Sequence, residues 1–193
     1  MSVVRAFIAI DLSPEIYKRL EAVGKDLKQS LEEVPVRWVP VENIHLTLKF
    51  LGDVSIANLE ILKKILKNEV HQHAPFEIGV GELGAFPSVR RPRVIWVGVE
   101  APTALESLQR GIEAETARLG YAREERPFQP HLTLGRVSRN ANATDARRIG
   151  DVLRGYKLGF IGAARVQDVH LFRSELKSSG AVYTRLASIG LQT

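Results

Sequence analysis

The sequence predicts an α+β fold in which two related halves face a shared cleft. Three observations point there. The phrase His-Leu-Thr-Leu occurs twice, beginning at His45 and at His131, positions that differ by 86. Strand-like apolar runs alternate with amphipathic stretches of helical period in each half. No linker or low-complexity segment divides the halves, so the 193 residues suit one domain or two small lobes with a common core. An internal duplication accounts for all three, each half supplying half of a site.

Taken in order, residues 3–12 (VVRAFIAIDL) are nearly all apolar and read as a central strand covered on both faces. Ser13 is placed to cap a helix over residues 14–33, with Pro14 at its first position and Ile16, Leu20, Val23, Leu27 and Leu31 on one stripe. Pro35 ends it, and Arg37-Trp38-Val39 reads as a short edge strand. The first motif strand spans residues 44–51. Ser55 is the expected cap of a helix reaching residue 69. Phe76, Ile78 and Val80 alternate as in a strand, and a glycine-rich loop is expected after them.

Residues 94–99 form a buried strand with Trp96 in the core. Thr103 is the expected cap of a helix over residues 104–119, which Gly120 closes. A charged, extended segment (YAREERPFQ) leads into the second motif strand, residues 131–137. A helix over 145–153 and strand character around Leu158-Gly159-Phe160 come next. The chain ends in a hairpin, residues 168–176 and 181–189, turning at Ser178-Ser179-Gly180.

Composition excludes several classes. There are no cysteines, so thiolate metal sites, disulfides and Cys nucleophiles are out. No apolar run reaches the length of a membrane-spanning helix, and Asp11 and Pro14 lie too close behind the apolar N-terminal stretch for a signal peptide. A cytoplasmic protein that contacts no membrane is expected. The net charge of +5 suits a polyanionic partner such as RNA.

Residues two apart on a strand share a face. Each motif therefore turns Leu to the core and one His and one Thr to the cleft. Two imidazoles, His45 and His131, are what acid-base chemistry needs near neutral pH. The Thr47 and Thr133 hydroxyls are suited to donate to a bound anion. Zinc is the lesser reading, since the two histidines could be two of four ligands but the motif supplies no third at defined spacing. Lys49 has the parity of His45 and is expected in the cleft. Arg136 has the opposite parity to His131, and only a bulge at Gly135 brings it back. Arg90, Arg91 and Arg93 are candidates for RNA phosphate, and Phe128 for base stacking. His170 and the pair His71 and His73 are given no chemical role.

The paired HxTx phrases, with RAFIAIDL, NIHLTLKFLG, PRVIWVGV, FQPHLTLGRV and SELKSSGAVYTRL in that order, resemble the two-histidine phosphoesterase superfamily. Within it they resemble the RNA 2′,3′-cyclic phosphodiesterases, long called 2′-5′ RNA ligases. The resemblance implies one bilobal duplicated domain over residues 1–193, with two antiparallel sheets facing a central cleft and helices outside. It implies hydrolysis of a terminal 2′,3′-cyclic phosphate to a 2′-phosphate, without metal or cofactor; a monomer is expected. His45 is then the general acid and His131 the general base, and Thr47, Thr133 and Arg136 hold phosphate. The implied partners are RNA ends, tRNA fragments among them, or small cyclic nucleotides. Reversible 2′-5′ ligation of tRNA halves and non-catalytic binding of RNA ends are the alternatives.

Overall fold

Each half of the duplication runs strand, helix, motif strand, helix, and then sends its next long strand into the sheet of the other half. A computed structural model describes residues 2–178 and 180–192. The first half contains β1 (Val3–Ile10), α1 (Pro14–Ser30), β2 (Val36–Trp38), β3 (Leu46–Ser55), α2 (Leu59–Val70) and β4 (Phe76–Ser88). The second contains β5 (Arg91–Val99), α3 (Thr103–Arg118), β6 (His131–Val137), α4 (Ala143–Gly155), β7 (Phe160–Val166), β8 (Asp168–Lys177) and β9 (Gly180–Gly190). The expected turn residue Ser179 lies outside the described residues.

The strands take the order β7-β4-β5-β6-β3-β1-β8-β9, with β2 also on β6. Strands β6 and β3 meet through one residue pair, Leu46 with Leu132. The sheet is therefore two antiparallel sheets, β3-β1-β8-β9 and β7-β4-β5-β6, joined at a single point. Leu46 and Leu132 hold the same place in the two motif copies. Antiparallel pairing of equivalent residues puts a local two-fold axis between them. The exchange of strands obeys the same symmetry: β4 pairs with β5, and β8 pairs with β1.

Helices α2 and α3 pack on each other, and they lie against β9 and β3 respectively; α1 lies against β7 and α4 against β5. The apolar stripe of α1 is buried as its spacing dictates, at Ile16, Leu20, Val23 and Leu27. These join Ile8 and Ile10 of β1, Leu46 and Leu132 in one core. Each fully buried aliphatic side chain contributes roughly 1.5–3 kcal/mol, which holds the motif strands in register.

Ser13 caps α1 as expected, its hydroxyl accepting from the Ile16 N–H. The helix stops at Ser30, three residues short of the expected end at 33, with Leu31 as its C-cap and the Leu31 N–H donating to the Leu27 carbonyl. Two other caps differ from expectation. Residues 56–58 form a 3-10 turn before α2, and Pro102, not Thr103, stands at the start of α3. The strongest cap is at α4, where Asn142 and Asp145 form a reciprocal capping box. The expected glycine-rich loop is instead strand, since β4 runs unbroken to Ser88. Gly84 sits opposite Trp96, and the indole fills the space that a Cβ would need. Glycine carries no alternation signal, so a strand that makes room for a neighbour's side chain reads as a loop.

Candidate active site

His45 is delivered to the head of β3 by a 3-10 turn, Val41–Asn43, and His131 begins β6. In both copies the ring Nδ1–H donates to the backbone carbonyl two residues back. The partner is Asn43 at 2.9 Å for His45 and Gln129 at 2.8 Å for His131. A carbonyl oxygen only accepts, so Nδ1 carries the proton and Nε2 is the free nitrogen of each neutral ring. The turn behind His45 is held by side chains. The Tyr17 hydroxyl donates to the Ile44 carbonyl at 3.1 Å, and the Asn43 amide donates to Ala181 of β9 at 3.0 Å.

Aromatic rings enclose both imidazoles. Phe7 stacks on His45 with centroids 4.6 Å apart, and Tyr183 meets it edge-on at 5.3 Å. Phe86 meets His131 edge-on at 4.8 Å. Burial among these rings disfavours the charged form and pushes the His45 pKa down to about 4, against the hydrogen bond to Asn43 and the Asp11 carboxylate, which favour the cation. The charges of Arg136 and His131 lower it further. His131 is lowered by burial first, with Arg136 adding to the effect. The two histidines and Arg136 are thus close enough to sense one another. Continuing the Leu46–Leu132 pair by one residue each way sets His45 across from Thr133, and Thr47 across from His131. Both threonines are half-buried on the cleft side.

A bulge common to both motif strands sets the facing of the residues beyond each motif. In β3, Ile8 pairs with Lys49 and Ala9 with Thr47, so Leu48 is the extra residue. In β6, Ile95 pairs with Gly135 and Trp96 with Thr133, so Leu134 is the extra residue. The extra residue inverts the parity of the residues that follow it, in β3 as far as a second irregularity at Leu51. This corrects the expectation for Lys49. Its side chain is turned away from the cleft, only 5% exposed, with Nζ 2.5 Å from Glu113 of α3 and 2.5 Å from the Ala122 carbonyl. Phe50 takes the cleft position instead. The same inversion turns the exposed Arg136 into the cleft, where simple alternation would have pointed it away.

Arg90, Arg91 and Arg93 stand exposed at the tip of the β4–β5 hairpin. Phe128 is half-buried and packs on the core from the segment before β6. Trp96, expected in the core, lies on the cleft side beside Phe86, ring centroids 5.1 Å apart. Its Nε1 is buried and has no hydrogen-bond partner among the described residues. His170 has a structural setting, with Nδ1 2.9 Å from the Ser188 hydroxyl and Nε2 3.7 Å from Asp11, which also pairs with Arg185. His73 pairs with Glu69 at 2.9 Å. Among the described residues, no three His, Asp or Glu side chains gather as a metal set, and no helix is long and apolar enough to cross a membrane.

Sequence reasoning missed the wall beside His45. A pocket of about 760 Å³ opens there, lined by Asp11, Asn43, Phe172, Tyr183 and Arg185 among others. Phe7 and Phe172 are neighbours across β1 and β8, with centroids 5.2 Å apart. An apolar run such as β1 does not reveal which of its two faces meets a cleft.

Two HxTx strands brought together across a local two-fold axis, in a duplicated α+β fold, define a two-histidine phosphoesterase. A model of the LigT-like phosphoesterases matches the chain twice, over residues 10–96 and 97–183. The chain belongs to that family. It is 36% identical to an RNA 2′,3′-cyclic phosphodiesterase of Methanothermobacter thermautotrophicus, over 94% of this chain and 95% of that protein. It is 33% identical to the protein of the same name from Aquifex aeolicus, over 95% of each. Among solved structures, TT0787 of Thermus thermophilus superposes with a TM-score of 0.81 at 27% identity, over 97% of this chain and 98% of that one. E. coli LigT in complex with 3′-AMP gives 0.79 at 26% identity over the whole of both chains.

Proposed function

We propose that this phosphoesterase opens the 2′,3′-cyclic phosphate at the end of an RNA and leaves a 2′-phosphate, with its two histidines as acid and base. The observation that carries this is the paired tautomer: both rings spend Nδ1 on a backbone carbonyl and keep Nε2 for chemistry. The names of the relatives, and the 3′-AMP bound to E. coli LigT, support the substrate class.

The reaction needs water deprotonated on one side of phosphorus and the leaving oxygen protonated on the other. Histidines from opposite sides of a two-fold axis suit that in-line geometry. Water attacks phosphorus and gives its proton to Nε2 of His131. The bond from phosphorus to O3′ breaks, and Nε2–H of His45 protonates the departing oxygen. Solvent exchange then restores both rings. Each proton transfer supplies roughly 10²–10⁴-fold. Thr47, Thr133 and Arg136 hold the non-bridging oxygens and offset their charge. The acid role requires His45 charged, and a bound phosphodiester anion favours that form. A 5′-hydroxyl in place of water makes the same chemistry a 2′-5′ ligation.

The test is incubation with an oligoribonucleotide ending in a 2′,3′-cyclic phosphate, in excess chelator, with the product ends then mapped. A 2′-phosphate is expected, and His45→Ala and His131→Ala should each abolish it. Activity lost to chelator and restored by zinc defeats the metal-free reading. Replacing O3′ by sulfur assigns the roles, because a thiolate leaves without protonation. His45→Ala should then recover much of its rate, and His131→Ala should not. The opposite pattern exchanges acid and base.

A further inference from the structure

The two-fold axis makes the halves of the site alike, yet acid-base chemistry needs one histidine charged and the other neutral. The register of the strands beside the motifs shows where the halves differ. Beside β6, Trp96, Val97 and Gly98 of β5 pair with Thr133, Leu132 and His131. Beside β3, Ala9 and Ile10 of β1 pair with Thr47 and Leu46, and the next residue, Asp11, comes across from His45. Asp11 therefore holds beside His45 the place that Gly98 holds beside His131. A side chain is crowded out of the second place, where a Cβ would meet the Gly81 carbonyl oxygen at 2.9 Å. Asp11 and His45 line the same pocket. Arg185 pairs with Oδ2 of Asp11, and His170 Nε2 stands 3.7 Å from the same oxygen, which fixes the carboxylate.

We propose that Asp11 is the positioning residue that makes His45 the acid, its carboxylate standing beside the one imidazole that must carry a proton to O3′. This rests on the cyclic phosphodiesterase reading. Other ionisable groups share the pocket wall: Glu15, Tyr17, Lys18 and Glu21 of α1, Glu42 of the turn, and Tyr183 and Arg185 of β9. The charges that weigh on His45 are Asp11, which favours the imidazolium, and Arg136 and His131 of β6, which oppose it. Arg136 opposes the cation at His131 as well, and among the described residues no carboxylate offsets it there. A bound phosphodiester favours the charged form of both rings. Asp11 adds to that at His45 alone. The buried His45 is thus brought up toward the working pH, where a general acid is most effective. His131 stays neutral, ready to take a proton from water. Asp11 acts through His45 and not on the substrate.

The test compares the parent with Asp11→Asn and Asp11→Ser on two substrates, an oligoribonucleotide with a 2′,3′-cyclic phosphate end and the same end with O3′ replaced by sulfur. On the oxygen substrate each variant should lower kcat about tenfold at pH 7, with KM little changed. The loss should shrink as pH falls, because acid protonates His45 without help, and the alkaline limb of the profile should move to lower pH. On the sulfur substrate, which leaves without protonation, the variants should match the parent. Adding Arg185→Gln to Asp11→Asn should leave the loss in place. NMR titration in saturating inorganic phosphate should find the His45 midpoint lower in Asp11→Asn than in the parent, and the His131 midpoint unmoved. An unchanged pH profile overturns the proposal. So does an equal loss on both substrates, which makes Asp11 structural, or a loss that Arg185→Gln repairs, which traces it to the cation set free. A parent inactive on both substrates sinks the phosphodiesterase reading, while the two midpoints still decide whether Asp11 acts on His45 alone.

Discussion

At the scale of single residues, the site is two copies of one device: an imidazole pinned at Nδ1 by a carbonyl two residues back and walled by aromatic rings. Its electrostatics have a measurable consequence. Burial holds the His45 pKa at about 4, so the ring is neutral in the free protein at pH 7. NMR titration of the imidazole Cε1–H should place its midpoint near that value, and saturating phosphate should move it up toward the ordinary range near 6.5. The same shift ties stability to pH. As pH falls from about 6.5 to about 4, the unfolded ring takes up a proton and the folded one does not. Stability from this residue declines through that window and levels off below it. A His45→Gln variant should show a flatter dependence there in denaturant melts, and equal slopes would remove the assigned shift.

At the scale of elements, one inserted residue per motif strand decides which neighbours reach the cleft. Leu48 turns Lys49 away from the cleft, toward α3, where it ties Glu113 and the start of the segment after α3. Glu113 also accepts the Glu124 N–H at 2.8 Å. An ion pair this buried is exposed as a dependency when one partner is lost. Lys49→Met should cost about 3–5 kcal/mol in equilibrium unfolding, because it leaves a buried carboxylate unpaired. Combining it with Glu113→Leu should recover most of the loss. A single variant as stable as the parent would show that the Glu124 N–H satisfies Glu113 without Lys49.

At the scale of the whole molecule, the exchange of β4 and β8 makes each lobe depend on the other half of the chain. Strand β1 lies between β3 and β8, so a fragment ending before β5 leaves one edge of β1 bare and sends β4 out with no sheet to join. Fragments 1–90 and 91–193 made separately should show no cooperative unfolding by circular dichroism. Mixed from denaturant, they should regain it together. Independent folding of either fragment would mean that the strand exchange is not what joins the lobes.

Much of this was legible in the chain. The alternation of His, Leu, Thr and Leu assigns core and cleft faces by itself, because side chains on a strand alternate with a period of two. The apolar spacing of α1, its Ser13-Pro14 start and the class of fold were readable for the same reason: local periodicity and caps are written in adjacent residues. Tertiary structure alone decided the rest. A bulge is a relation between two strands, so Gly135 could only suggest one beside Arg136, where the extra residue is in fact Leu134, and nothing in its own sequence marks the burial of Lys49. The strand made by the glycines of β4 exists because Trp96 needs the space at Gly84. The aromatic wall of Phe7, Phe172 and Tyr183 forms only when β1, β8 and β9 are laid side by side. Patterns within one strand reveal its faces, and which face meets a neighbour is fixed by contacts between residues far apart in the chain.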